Sequence, residues 1–318
     1  ELSKTIIIDE VSMLRSDVLE NVMHAMEKSR INWREKQFIF VGDLAQLPPI
    51  TTPFEDRELE NLYGGTEFYH STFFKELDVV HIDLDEIVRQ SDSEFIEALN
   101  IVRNGGKSEY FRRFVSEETE GIVLAPHNET VAKYNREGLS KIKGEVHTFY
   151  ANSWGSAKVE DFNVQEVLKL KEGARIMYLV NDLERGLVNG TLGTFCFDKK
   201  RVKKVRRENS FYNSKTIKVE YYELETVPCI KLEDGSTHHI KEYKFEKFIY
   251  NDELEKEVVG TVKALPIRLA FALSIHKSQG LTFDKISVDL SRPCFQKGQM
   301  YTALSRVKTP EGLKIIIK

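Results

Sequence analysis

The side chains with the most chemistry to offer stand at four places. Asp9 and Glu10 close the run "TIIIDE", in which three isoleucines lead straight into two carboxylates. At a strand end such a pair suits metal-assisted hydrolysis of a phosphoanhydride. One carboxylate holds Mg2+ across the β- and γ-phosphates, and the other orients or deprotonates the attacking water. The plainer reading is a solvated strand end. "GDLAQLPP" (42–49) repeats the arrangement, an apolar run and then a polar loop stopped by Pro48 and Pro49. Gln46 is its informative residue, because a glutamine beside a phosphate can donate to a γ-oxygen or position water.

The third place is "HKSQG" (276–280), four polar side chains and a glycine directly after an apolar run. A loop of this kind can give hydrogen bonds and one charge to a phosphodiester backbone. A lone histidine is otherwise a packed or capping residue. The fourth is "MYTALSRV" (300–307), where a helix would pack Met300, Tyr301 and Leu304 inward and project Arg306 from one end. Arg306 is then either a solvated charge or a guanidinium that neutralises γ-phosphate charge across a cleft. Arg89, in "EIVRQSD" (86–92), offers the same chemistry.

These residues need elements to hold them. β-Branching predicts strands at 5–9, 37–43 and 79–84. Apolar residues at 18, 19, 22, 23 and 26 predict a helix over 16–29 with Ser16 as its N-cap. Another helix is predicted over 92–106, closing on glycine. Strands alternating with helices indicate a parallel α/β sheet. The two polar loops at 9–10 and 42–49 suit neighbouring strands, both at the carboxyl edge where open α/β sheets bind ligands. A second strand–turn–helix unit opens at "GIVLAPHNETVAKYN" (121–135), with Asn128 as cap. From about 165 to 265 the texture is that of short strands and polar turns, including the hairpin signal Asn189-Gly190.

Bulk properties restrict the answer less. The chain is 318 residues long, 41% hydrophobic and 30% charged, which suits two globular domains or three small ones. No apolar run is long enough to cross a bilayer, and no leader pattern is present. Cys196, Cys229 and Cys294 lie far apart and fit no metal or disulfide spacing, which favours a reducing compartment. With 46 cations against 50 carboxylates the net charge is −4, so only a local groove need be positive. "KKRVKKVRR" (199–207) places seven cations in nine residues, either solvated on a ribbon or tracking phosphates.

In order along the chain, "IIIDEVSM", "GDLAQLPP", "EIVRQSDSEFIEALNIVRNG", "LAPHNETVAKYN", "LPIRLAFALSIHKSQGLTFDKISVDL" and "YTALSRV" resemble the motifs of superfamily 1 helicases. The set is most similar to the RecD-like, Pif-one branch, which also resembles the phage Dda helicase. The pair "HKSQGLTFD" and "YTALSR" carries the most specificity, and the likeness is weakest across the β-rich block.

The resemblance implies an α/β fold of two RecA-like P-loop NTPase domains, the first incomplete, with a small all-β barrel inserted in the second. Residues 1–110 would be the C-terminal part of the first domain, 111–170 with 265–318 the second, and 171–264 the insertion. It implies ATP and Mg2+ as cofactors, single-stranded, forked or structured DNA as partner, no membrane, and a monomer moving 5′ to 3′. Asp9 would hold Mg2+, Glu10 activate water, and Gln46 sense the γ-phosphate. Arg89 and Arg306 would reach the triphosphate, with Gly280 beside the nucleotide. Asn128, His276, Lys277, Ser278 and Thr282 would touch the strand. The setting would be a bacterial or phage-host nucleoid, or a nucleus or mitochondrion. Two readings compete: a strand-binding module without ATPase activity, and the motor part of a larger nuclease or relaxase.

One element of that family is missing from the sequence. No G-x-x-x-x-G-K-[ST] phosphate loop occurs, and "GGKS" (105–108) has Ile101 where the first glycine belongs. In the family the loop precedes the Asp-Glu strand. The expectation is therefore an upstream part of roughly a hundred residues, and weak or absent ATP turnover from these residues alone.

Overall fold

The structure, a computed structural model, describes residues 3–209, 216–250 and 255–317, and the side chains of 205–222 lie outside the described residues. The end of the basic run, Arg206 and Arg207, falls among those side chains. Backbone proximity gathers the chain into two compact units, Glu1–Ala132 with Ala272–Lys318, and Lys133–Phe271.

In chain order the first part holds β1 (Thr5–Ile8), α1 (Ser16–Lys28), β2 (Gln37–Phe40), α2 (Pro53–Tyr63), α3 (Thr72–Glu76), α4 (Ser93–Arg103), β3 (Ile122–Ala125) and α5 (Asn128–Lys141). There follow β4 (His147–Tyr150), β5 (Asn152–Gly155), β6 (Val167–Leu170), β7 (Arg175–Tyr178), β8 (Leu192–Asn209) and β9 (Thr216–Lys231). Next come β10 (Thr237–His239), β11 (Tyr243–Tyr250), β12 (Lys256–Ala264) and β13 (Ile267–Leu269). The chain closes with β14 (Ala272–Ser274), β15 (Ile286–Asp289), α6 (Gln299–Leu304) and β16 (Leu313–Ile316).

The first unit carries only parallel ladders among the described residues. β1 and β2 pair in register from Thr5 opposite Gln37 to Ile8 opposite Phe40. Both polar loops therefore leave the same carboxyl edge, as the spacing predicts, and the Val11 amide donates to Val41 O across them. β14, β3, β15 and β16 form a second parallel sheet in that order. Its strands are buried on both faces, the usual state of a parallel sheet. β1 and β2 alternate instead. Ile8, Phe38 and Phe40 pack on Leu19, Met23, Phe68 and Phe73, while Ile7 on the opposite face is 65% exposed.

Helix α1 forms where its apolar period requires, but Ser16 is its first residue and not its cap. Arg15 is the cap, and Ser16 Oγ donates to Gly65 O. α5 likewise begins at Asn128 itself. Asp92 caps α4 by accepting the Phe95 amide, and α4 ends, as expected, before Gly105 in left-handed backbone. The strand expected at 79–84 does not form. Val80 and Leu84 are 81% and 90% exposed, and no ladder includes them among the described residues. β-Branching supplies propensity, but a strand exists only where another strand completes its hydrogen bonds.

The second unit is antiparallel throughout its described ladders: β10-β9-β8-β7-β13, β11-β12-β5 and β4-β6. Leu170, Ile176, Tyr178, Phe195, Ile230 and Ile267 form one core, and Val164, Val262 and Ala264 belong to another. The texture predicts short strands, yet β8 and β9 run 18 and 16 residues and pair from Thr194–Lys231 to Asn209–Thr216. Pro228 does not stop β9; its carbonyl accepts the Ile240 amide on the β10 side. Asn189-Gly190 is not a two-residue hairpin turn. It ends a longer loop between β7 and β8, with Gly190 at φ +93°. The β8–β9 register also sets Cys196 directly opposite Cys229, a proximity their sequence spacing conceals.

Among the described residues no helix is long and apolar enough to cross a membrane. The fold is mixed α/β, with parallel and antiparallel sheets in separate units.

Candidate functional site

The carboxyl edge of β1 is where the first unit brings its polar motifs together. Asp9 is exposed, and its Oδ1 accepts the Glu10 amide at 2.8 Å. Glu10 itself sits in left-handed backbone at φ 51°, an uncommon state for a residue with a Cβ and typical of functional turns. This twist carries its carboxylate to the far C-terminal part of the chain, where Gln279 Nε2 donates to Glu10 Oε2 at 3.0 Å. Gly280 adjoins the same carboxylate; a Cβ there would lie 3.8 Å from Glu10 Oε1.

The β2 loop lies beside this pair. Gly42 has no room for a side chain, since a Cβ would come within 2.9 Å of the Val11 amide nitrogen. Asp43 holds the loop by accepting from the Ala45 amide and from Arg103 of α4, the latter at 3.0 Å. Burial pushes the Asp43 carboxyl up, but Arg103, the Ala45 amide and Tyr301 outweigh it and hold it below the usual carboxylate range. Gln46 Nε2 reaches Asp43 Oδ2 at 3.4 Å, while its Oε1 is buried without a hydrogen-bond partner. Gly298, at φ +80°, lets the start of α6 close on this loop, and a Cβ there would overlap Gln46 O at 2.0 Å.

Arg306 does not project from α6. It follows the helix and is 1% exposed. Its Nε donates to Thr302 O at 2.9 Å, Nη2 to Ser305 Oγ at 2.8 Å and Nη1 to Leu281 O at 3.5 Å. Burial brings its guanidinium down to about 10, helped by the charge of Arg89 and opposed by Glu10. Arg89 is exposed but tethered, donating to Ser305 O at 3.2 Å. Its neighbour Gln90 is buried and clamps Ser305 O and Val307 O at 3.1 and 2.9 Å.

Ser12 Oγ, Gln46 Oε1, Gln279 Oε1, Gln299 Nε2 and Thr302 Oγ1 are all buried without a hydrogen-bond partner among the described residues. Buried polar atoms are otherwise nearly always paired, so their concentration in these motifs marks a place built for polar ligands. An exposed carboxylate on Asp9, a carbonyl acceptor on Gln46 and the exposed guanidinium of Arg89 fit a hydrated Mg2+ and a terminal phosphate, whereas the Arg306 guanidinium is turned into the protein.

The expected strand-contact residues are less uniform. Asn128 and Thr282 are exposed. His276 Nε2 lies 3.0 Å from Gln296 Oε1, and Gln296 in turn donates to Pro49 O. Lys277 is half-buried. Ser278 is fully buried and its hydroxyl donates to Ile275 O, so it shapes the turn from inside. "GGKS" is no phosphate cradle: the Gly105 and Gly106 amides close the end of α4 on Val102 O and Ile101 O. Sequence reasoning did not assign Gln279, Gln90 or the Asp43–Arg103 pair. Gln279 and Gln90 stand beside residues it did assign, and only the tertiary fold reveals what they hold.

A family profile described as the 2B domain of DNA helicase Pif1 matches residues 159–196. ATP-dependent DNA helicase Pif1 of Campylobacter jejuni is 28% identical over 351 residues, covering 99% of this chain and 70% of its own length. The Xenopus laevis PIF1 helicase is 30% identical and spans 98% of this chain, which covers 46% of it. The solved Bacteroides Pif1 helicase in complex with ADP-AlF3 and ssDNA superposes with a TM-score of 0.73 at 30% identity. That match covers 98% of this chain and 70% of the Bacteroides chain. Shared identity, coverage and fold together establish that this chain belongs to the Pif1 family of DNA helicases.

Proposed function

We propose that this chain belongs to an ATP-dependent DNA helicase that moves 5′ to 3′ along a single strand. The observation that carries the reading is the Gln279–Glu10 hydrogen bond, which ties two motifs 269 residues apart into one polar site. In this reading residues 1–110 belong to a first RecA-like motor domain, 111–170 and 265–318 to a second, and 171–264 to an inserted β-barrel. The family match at 159–196 supports a family-specific module in that region.

Asp9 holds Mg2+, which when bound neutralises phosphate charge. Glu10 orients and deprotonates the attacking water, with Gln279 fixing the carboxylate that does so. Gln46 offers its unpaired carbonyl or its amide to the water or γ-phosphate. Arg89 stabilises charge developing on the terminal phosphate, Arg306 joins it only by leaving Thr302, Ser305 and Leu281, and Gly280 leaves space for the phosphate. Asn128, His276, Lys277 and Thr282 face the strand, and Ser278 keeps their turn in shape. The solved Pif1 bound to ssDNA and the pair of Pif1 helicases at forked dsDNA support DNA as partner. The working form is a monomer, located with the DNA it acts on.

ATP hydrolysis with and without single-stranded oligonucleotide, beside Glu10→Gln, tests the proposal. These 318 residues alone should turn over weakly, since no phosphate-loop motif occurs in them. In a protein that joins them to a phosphate loop, strand-stimulated turnover should fall by about 10²-fold or more in Glu10→Gln, with strand affinity retained. Equal turnover by the substituted protein would remove Glu10 from the mechanism.

A further inference from the structure

We infer that the second unit carries a divalent transition-metal site, suited to Zn2+, built from Asp198, Cys229 and His239. It is the one group among the described residues in which three metal-ligating side chains converge: one donor atom of each lies within 4.8 Å of the others. The strand register makes the convergence. His239 on β10 stands opposite Cys229 on β9, and Cys229 stands opposite Cys196 on β8, two residues before Asp198. Directly opposed residues, and residues two apart on one strand, share a face of the sheet. Three strands therefore present the three donors on one face at the base of the β8–β9 ribbon.

The donor set is chemically particular. Thiolate, imidazole and carboxylate are the ligands Zn2+ takes, commonly with a fourth position left to water. Bond lengths of about 2.0–2.3 Å in a tetrahedron place donors roughly 3.3–3.8 Å apart, so the group needs only a small contraction. His239 Nε2 and Asp198 Oδ2 already lie 3.0 Å apart. Asp198 Oδ1 is held by the Lys199 amide at 2.7 Å, which orients the carboxylate. Cys229 is fully buried, and its thiol makes a long contact of 3.4 Å to Val227 O, a weak partner readily given up. Glu172, whose Oε1 accepts the Phe197 amide, adds negative charge nearby. The bland alternative is a solvated Asp198–His239 pair above a packed cysteine, and it predicts no metal.

A bound ion would clip the three-residue edge strand β10 and the ribbon to one point. The test is metal content by mass spectrometry on untagged, chelator-treated protein given Zn2+ alone and then desalted. One zinc per chain is expected, together with a rise in melting temperature that a chelator reverses. Co2+ in its place should give the visible bands of a tetrahedral ion and a thiolate-to-metal charge-transfer band. His239→Ala and Asp198→Asn alter partly exposed positions and should still fold. Each should weaken Zn2+ binding by more than the roughly 10–100-fold typical of losing a mere supporting partner. Cys196→Ser should keep both zinc and the charge-transfer band. Substoichiometric zinc in the unaltered protein, undiminished binding in His239→Ala, or a band that disappears with Cys196 would each overturn the inference.

Discussion

At Gly298 the backbone turns through left-handed φ with Gln46 O against the position a side chain would fill. Gly298→Ala therefore meets both a conformational penalty and backbone overlap. It should cost about 1–3 kcal/mol or more and shift the Gln46 loop, read as a lower denaturation midpoint and weaker nucleotide binding together. An unchanged midpoint would mean that the contact relaxes freely. Asp43 gives a pH test. Its folded carboxyl titrates below the unfolded one, so its contribution is present above the ordinary carboxylate range and is lost as pH falls below about 4. Asp43→Asn should destabilise the protein at neutral pH and flatten the acid limb of stability against pH, measured by urea midpoints. A parallel acid limb in both proteins would contradict this. The placement of Asp9, Glu10 and Gln46 at one carboxyl edge was legible because each follows a short apolar strand. The burial of Arg306 was not. Two of its three partners are backbone carbonyls, of Thr302 and Leu281, which no pattern of side-chain types announces.

At the scale of elements, local apolar patterning predicted β1, α1, β2, α4 and β3 well, since each is fixed largely by its own apolar spacing. It failed at 79–84, where Val79-Val80 and Ile82 have strand propensity but, among the described residues, no strand beside them. It also divided what is one long ribbon, because polar residues in a two-stranded ribbon can face water on either side without ending it. The basic run on that ribbon now has a structural context. Lys204 is bridged by Glu223 at 2.6 Å and Glu225 at 2.8 Å from the facing strand, which raises its ammonium above the ordinary lysine range. Cross-strand charge pairing favours the solvated, internally balanced reading. Lys204→Glu should thus leave single-strand affinity unchanged while loosening the ribbon, seen as faster amide exchange in β8 and β9. Weakened binding with a shallower salt dependence would point to phosphate tracking instead.

For the whole molecule, a net charge of −4 leaves strand binding to local groups. Of the residues proposed to face the strand, Lys277 alone is a permanent cation. Log affinity against log salt should therefore slope only about −0.7 for single-stranded oligonucleotide, the value for one phosphate neutralised. Fluorescence anisotropy across a salt series measures this, and a slope steeper than about −4 would require cations outside the set. The order of the parallel sheet has a different consequence, one of timing. β3 lies between β14 and β15, and both partners come from beyond residue 271. From Ala125 to Ala272 is a separation of 272 − 125 = 147 residues. At about 5–20 residues per second on the ribosome, β3 waits roughly 7–30 seconds for its first neighbour. In that interval the hairpins of the intervening antiparallel unit are already being made. The chain is thus synthesised with a finished middle and an open seam, and the seam closes last.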